Sequence, residues 1–281
     1  MTTAKPAPRR QAKALGQHFL TDGRILGRIA AAAELNPQDT VLEVGPGRGA
    51  LTRLLVAQAA RVVAVELDPE LAAALPARLD HPANLTVVVA DARTVDIASL
   101  VGPDRPYKMV ANLPYYAANP IIRRFLEEAP RPRLMVVMVQ QEVARSMTAG
   151  PGAMSILSVA VQFYAQAIQV CTVPSVAFRP PPKVTSAVVK LVPRPVPPVP
   201  VADPAAFFRL VRAGFAAPRK QLRNSLSQGL GVEGRRVSEL LDSLGLDGRR
   251  RAETLSLEEW ASIHRAWEEE KDVGSPGLRQ D

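Results

Sequence analysis

The sequence predicts an α/β fold: a doubly wound, Rossmann-like sheet of mostly parallel strands with an antiparallel edge, followed by a small helical domain. Three observations carry this. Short Val-rich runs alternate with stretches of helical spacing through the first half of the chain. Two later apolar runs have no helical pattern between them, and a proline-rich stretch then separates them from a region of helical spacing alone.

Strands are expected at residues 40–44, 61–66, 85–90, 107–111 and 134–139, each an apolar run bounded by polar or turn-forming residues. Between them, residues 51–59, 69–79 and 119–128 have helical spacing. Asp68-Pro69 and Asn119-Pro120 both read as a cap followed by proline at the first helical position. After a helix near 154–164, the runs 167–173 and 185–192 should pair antiparallel at one sheet edge, because a parallel crossover would need a helix between them. Pro193, Pro195, Pro197, Pro198, Pro200 and Pro204 make 193–204 an extended linker. Residues 205–216, 219–228, 233–244 and 257–269 read as four helices. The expected organisation is a basic arm at 1–24, the sheet domain at 25–194, a linker at 195–204, a helical RNA-binding domain at 205–270 and a disordered tail at 271–281.

With 281 residues, 47% of them hydrophobic, the chain can bury a substantial core. Cytoplasmic localisation is expected, since no apolar run reaches membrane-spanning length and the cations Lys5, Arg9, Arg10 and Lys13 precede no secretory apolar segment. One cysteine, Cys171, and three histidines offer no disulfide framework and no metal site. The net charge of +8 favours a polyanionic partner. Cations gather in the N-terminal arm, around 179–190, and at Arg219-Lys220-Gln221-Leu222-Arg223.

Open sheets of this kind place ligands at the carboxyl ends of their strands. There, Gly45, Gly47 and Gly49 permit a tight turn and close approach of backbone to ligand. Glu66 follows Gly45 by 21 residues and ends the next strand, the spacing at which a carboxylate grips ribose hydroxyls. Asp91 ends the third strand, placed to accept from an adenine amine. A nicotinamide or flavin dinucleotide is the first rival, because Gly45-Pro46-Gly47-Arg48-Gly49-Ala50 also satisfies the dinucleotide fingerprint. Glu43 argues against a pyrophosphate and for a ligand bearing a sulfonium and an amino group, which is S-adenosylmethionine.

Asn112-Leu113-Pro114-Tyr115, after the strand at 107–111, is the acceptor side. Adenine's exocyclic nitrogen is a poor nucleophile because its lone pair is delocalised. The Asn112 side-chain oxygen and the Leu113 carbonyl can accept both amine hydrogens and stabilise charge developing on nitrogen. Pro114 stiffens the turn, and Tyr115 supplies a ring on which the base stacks. No general base or metal is required. A duplex base cannot reach such a site, so the target is single-stranded, looped or flipped out. In Phe178-Arg179-Pro180-Pro181-Pro182-Lys183-Val184, three prolines hold an extended connection; Phe178 is expected as the opposite wall of the base pocket, with Arg179 and Lys183 on phosphates.

These motifs together resemble the small-subunit ribosomal RNA adenine dimethyltransferases of the KsgA type. The likeness runs from Leu15-Gly16-Gln17-His18-Phe19-Leu20 through the glycine loop, Glu66, Asp91, the Asn112 turn and 178–186 to Pro218-Arg219-Lys220-Gln221-Leu222-Arg223-Asn224-Ser225. It implies a class I methyltransferase fold and transfer of methyl groups from S-adenosylmethionine to two adjacent adenosines of 16S rRNA. The target would be a hairpin loop near the 3′ end, two methyls on each amine, in an immature 30S subunit. It implies cofactor contacts at His18, Leu20, Gly45, Glu66, Asp91 and Asn112, His18 standing where Asn is frequent; the charge of Arg219, Lys220 and Arg223 makes them the expected RNA contacts of the helical domain. A monomer is expected. The alternatives are the related large-subunit RNA adenine methyltransferases that confer macrolide resistance, and a protein that serves chiefly as a ribosome-assembly factor.

Overall fold

A computed structural model describes residues 18–274, with side chains described to 270. The basic arm up to Gln17 and the tail from 275 lie outside the described residues. Strands and helices run in chain order as β1 (Phe19–Leu20), α1 (Gly23–Ala32), β2 (Thr40–Val44), α2 (Thr52–Val56), β3 (Arg61–Glu66), α3 (Pro69–Arg78), β4 (Leu85–Val89), α4 (Ile97–Val101), β5 (Tyr107–Asn112), α5 (Ala118–Glu127), β6 (Leu134–Gln140) and α6 (Gln141–Met147). There follow α7 (Ile156–Tyr164), β7 (Ala165–Val173), β8 (Phe178–Arg179), β9 (Ser186–Pro193), α8 (Pro204–Phe215), α9 (Leu222–Leu230), α10 (Gly234–Ser243) and α11 (Leu257–Gly274).

The chain forms two compact units: residues to Arg145 with Ala165–Pro193, and Ser146–Tyr164 with the residues from Arg194 onward. In the first, seven strands lie in the order β4-β3-β2-β5-β6-β9-β7. The strands β2 to β6 are parallel, while β9 runs antiparallel to both β6 and β7. The order of winding reverses between β2 and β5, because successive strands are added on one side through β3 and β4 and on the other through β5 and β6. Strands β5 and β6 are buried almost throughout, which is why they read as unbroken apolar runs.

Local signals explain most element ends. Asp68 caps α3 by accepting from the Glu70 and Leu71 N–H groups, with Pro69 at the first helical position. Asp22 does the same for α1, a helix the sequence reading passed over because Gly23, Arg24, Gly27 and Arg28 interrupt its apolar pattern; Ile25, Leu26, Ile29 and Ala30 nevertheless form its buried face. The shorter α4 and α6 were passed over as well. The expected Asn119-Pro120 cap does not form: α5 begins at Ala118, its cap residue Ala117 offers no side-chain acceptor, and Asn119 is exposed in the first turn.

The second unit holds α7 as well as α8 to α11, whereas the sequence reading kept residues 154–164 with the sheet. The reason is aromatic packing, since Phe163 stacks on Phe207 at 5.2 Å between centroids and Tyr164 on Phe208 at 5.4 Å. Helix α9 begins at Leu222 rather than 219. The Leu222 and Arg223 N–H groups donate to the carbonyls of Arg250 and Gly248, so the neighbouring loop caps the helix there. Helix α11 continues to Gly274, past the expected end of the domain at 270. Among the described residues no helix is long and apolar enough to cross a membrane.

Candidate active site

The reversal between β2 and β5 places two sequence motifs side by side. Val44 is the ladder partner of Ala111, so Gly45 and Asn112 leave the sheet together. Gly45 has φ +72°, its N–H donates to the Val65 carbonyl at 2.9 Å, and a Cβ on it would lie 3.4 Å from the Asn112 carbonyl oxygen. Gly47, at φ +55°, packs so closely on Phe19 that a Cβ would come within 3.1 Å of the ring. Arg48 lies over the other part of this arrangement, its guanidinium carbon 4.4 Å from the Phe19 centroid.

Two carboxylates reach the cavity between these motifs. Glu66 is 7% exposed, and its oxygens accept from the N–H groups of Gly47 at 3.0 Å and Asp68 at 3.1 Å, tying the glycine loop to the end of β3. Glu43 is 1% exposed, and its Oε2, beside the equally buried Thr52 hydroxyl, has no hydrogen-bond partner within bonding geometry among the described residues. Burial pushes the Glu43 carboxyl up to about 8, with the charge of Glu66 adding to the effect. The third carboxylate, Asp91, is clasped by Arg93, whose Nη2 lies 2.6 Å from one oxygen and whose Nε reaches both. The hydrogen-bonded guanidinium holds the Asp91 carboxyl below the usual range.

His18, Leu20, Gly45, Gly47, Glu66, Asp91, the 112–115 turn and Phe178 all border this one cavity. The Asn112 carboxamide is partly exposed and makes no hydrogen bond among the described residues. The Leu113 N–H donates to the Met138 carbonyl at 3.2 Å, and the Pro114 carbonyl accepts from Ala117 at 2.9 Å, which fixes the turn. The Tyr115 hydroxyl lies 2.7 Å from the Ser186 hydroxyl on β9.

A model of the family described as ribosomal RNA adenine dimethylase matches residues 9–268. The chain belongs to that family. It is 46% identical over 254 residues to the ribosomal RNA small subunit methyltransferase A of Dehalococcoides mccartyi, covering 90% of this chain and 87% of that protein. Among solved structures, it resembles the 23S rRNA methyltransferase ErmE at 32% identity and a TM-score of 0.66, covering 89% of this chain and 99% of the other. A dimethyladenosine transferase from Plasmodium falciparum shares the fold, with a TM-score of 0.74 at 24% identity over 90% of this chain and 98% of the other. The mostly parallel seven-stranded sheet with its antiparallel edge is thus that of the class I rRNA methyltransferases.

In this adenine dimethylase, the two rings expected as walls of the base pocket differ in exposure. Phe178 is 1% exposed and packs in the core with Leu20, its ladder partner, so it borders the cavity without offering an open ring face. The ring that faces Tyr115 is His18, with centroids 6.1 Å apart and planes inclined by 28°. Arg179 and Lys183 are exposed on the proline-rich connection, whereas Lys190 pairs with Glu34 on the sheet and does not belong to that cationic group. Arg219, Lys220 and Arg223 lie exposed in the second unit, on the turn before α9 and at its start, with no ion-pair partner among the described residues.

Sequence reasoning missed Arg93 and Ser186 as supports of Asp91 and Tyr115. Arg93 was legible, since an acidic residue two positions before an arginine at a strand end can close a local turn. Ser186 was not, because its partner lies 71 residues away.

Proposed function

We propose that this chain methylates the exocyclic nitrogens of two adjacent adenosines in a hairpin loop near the 3′ end of small-subunit rRNA, with S-adenosylmethionine as donor. The observation that supports the reading is the close approach of the glycine loop to the Asn112 turn at the carboxyl ends of the neighbouring strands β2 and β5. The named activity of the relative at 46% identity favours the small subunit over the large.

The residues fit the donor. A buried carboxylate oxygen on Glu43 with no hydrogen-bond partner among the described residues suits a ligand carrying positive charge, and the close-packed glycines leave backbone where side chains would intrude. Glu43 would face the cationic amino acid portion, Glu66 the ribose hydroxyls, and Asp91 the adenine amine, with His18, Leu20, Gly45, Gly47 and Asn112 completing the surround. Bound S-adenosylmethionine supplies an electrophilic methyl carbon.

The chain then has to prepare the nucleophile. The Asn112 side-chain oxygen and the Leu113 carbonyl accept the two amine hydrogens, directing the nitrogen lone pair toward the glycine loop and favouring a tetrahedral nitrogen. Tyr115 stacks on the base while its hydroxyl stays with Ser186. The extra proton leaves the nitrogen to these acceptors or to water once its acidity has risen. Arg179 and Lys183 hold phosphates near the cavity, and Arg219, Lys220 and Arg223 hold others. The natural substrate is an immature 30S subunit in which the loop is accessible, and the protein acts as a cytoplasmic monomer.

Incubating undermethylated small subunits and, separately, undermethylated large subunits with labelled cofactor, then mapping modified nucleosides by mass, tests the reading. Two adjacent dimethyladenosines in the small-subunit RNA are expected. Label confined to the large subunit would replace this reading by the macrolide-resistance type, and no label in either would leave an assembly factor.

A further inference from the structure

The turn that ends β5 carries two consecutive tyrosines, and only Tyr115 has a part in the reaction above. The Ala117 N–H donates to the Pro114 carbonyl at 2.9 Å, so Tyr115 and Tyr116 are the two central residues of one closed turn. Their surroundings differ. Tyr115 is half-buried and held through its hydroxyl by Ser186, whereas Tyr116 is 54% exposed and stacks on no other ring among the described residues. We propose that Tyr116 is the platform for the nucleotide next to the target adenosine, a second RNA subsite at the mouth of the base pocket. This assignment rests on the adenine-methylating function proposed above and names how the neighbour of the reacting base is held.

Folding gives Tyr116 little reason to be aromatic. It precedes Ala117, the cap residue of α5, a place from which an apolar side chain can pack on the fourth helical residue, here Ile121. Ile121 is already buried at 3% exposure, while more than half of Tyr116 stays in solvent. Both nevertheless border the cavity that Asn112 and Tyr115 line. The carboxylates expected to face the donor, Glu43 and Glu66, lie buried, so an exposed ring at the rim is better placed for the substrate than for the cofactor.

The chemistry of the substrate requires such a rim. Drawing a base out of its stack costs a few kcal/mol and strips its neighbour of a stacking partner. An open aromatic face restores about 1 to 3 kcal/mol of that stacking. Consecutive Cα atoms are about 3.8 Å apart, so two rings fanned from one turn can serve two nucleotides joined by one phosphate. Stacking also tolerates any base. Where two adjacent adenosines react in turn, the neighbour on the platform changes with the base in the pocket, and a hydrogen-bonding subsite would reject one of the two arrangements.

Charge at the rim suits the same occupant. The Asp91 carboxylate would repel an RNA backbone, but Arg93, on the same cavity, clasps it and cancels its charge. The Arg93 guanidinium is held above its usual range first by its hydrogen bonds to Asp91 and, as a smaller cause, by the Tyr116 phenol, which sets ring and cation near one another. An exposed ring beside a guanidinium is the pairing with which proteins hold single strands without reading their sequence.

The test compares the wild type with Tyr116→Ala, Tyr116→Phe and Tyr116→Trp by steady-state methyl transfer to undermethylated small subunits, calorimetry with S-adenosylmethionine, and thermal unfolding. Loss of one stacked base predicts that Ala lowers kcat/KM for the subunit about tenfold. Its cofactor Kd should stay within about twofold and its Tm within about 2 °C, as for a surface substitution. Phe and Trp, which keep a ring, should remain near wild type. An Ala variant with wild-type kinetics, a Phe variant as impaired as Ala, a cofactor Kd weakened beyond twofold, or a larger fall in Tm would each overturn the platform. A wild type that transfers no methyl group to small subunits would instead overturn the function on which it rests.

Discussion

Gly45 and the main-chain carbonyl of Asn112 stand against one another at the point where β2 and β5 end, with 3.4 Å between that oxygen and the position of a Cβ on Gly45. This approach joins the loop expected to cradle the donor to the turn expected to orient the acceptor. At φ +72°, any other residue is strained, and Ala costs roughly 1 kcal/mol or more of stability. Gly45→Ala should therefore lower Tm by a few degrees and weaken S-adenosylmethionine binding more than RNA binding, as calorimetry and filter binding would read. Unchanged cofactor affinity would show that the loop tolerates a side chain and does not approach the ligand closely.

The Asn112 side chain makes no hydrogen bond among the described residues, so its removal leaves no partner stranded there. Asn112→Ala should keep the thermal stability and subunit affinity of the wild type while kcat falls about 10²- to 10³-fold, the loss typical of removing one group that stabilises transition-state charge. Parallel loss of binding and turnover would make the turn a docking surface.

Phe178→Ala should destabilise the protein by about 3 to 5 kcal/mol, because a nearly fully buried aromatic side chain is removed from the core. Denaturant unfolding measures this directly. A cost below 1 kcal/mol would mean that the ring is free to turn toward a base, as the sequence reading had it.

Glu43 makes a pH prediction. Burial raises its carboxyl from 4.5 to about 8, so the folded chain binds a proton that the unfolded chain has released over that interval. The stability contributed by the protonated form is complete below about pH 4.5 and is lost as pH rises through 8. Glu43→Gln should thus raise Tm relative to wild type at pH 8.5, with little difference near pH 4.5. A cationic ligand facing Glu43 would favour its ionised form, so cofactor binding near pH 7 should release a proton in the wild type and none in the Gln variant. Calorimetry in buffers of different ionisation enthalpy reads that proton; equal release by both proteins would remove Glu43 from the site.

Arg219, Lys220 and Arg223 should each contribute to counterion release if RNA lies across them. Replacing all three by Ala should reduce the slope of log affinity against log salt by about 2 to 3. An unchanged slope would make the patch a solvated surface.

The parallel sheet was legible because a strand buried on both faces leaves an apolar run that needs no partner information to be seen, as at β5 and β6. The glycine loop, Glu66 and the Asn112 turn were legible for a related reason: each is a local backbone event at a strand end, written in adjacent residues. Helix α1 escaped because two glycines and two arginines masked its apolar face, and Asn119 misled because a capping sequence acts only if the helix begins at that turn.

Sequence by itself therefore determined the fold class, the order of the elements and which short motifs stand at their ends, since these depend on periodicity and local turn chemistry. Only the tertiary structure decided that Phe178 turns inward, that His18 faces Tyr115, that Asp91 is clasped by Arg93 and that α7 packs among the aromatic side chains of the helical unit. Most of those outcomes join residues far apart in the chain. Side-chain direction at such contacts is chosen by the packing of the whole core against the cost of leaving polar groups unpaired, which a local run of residues cannot express.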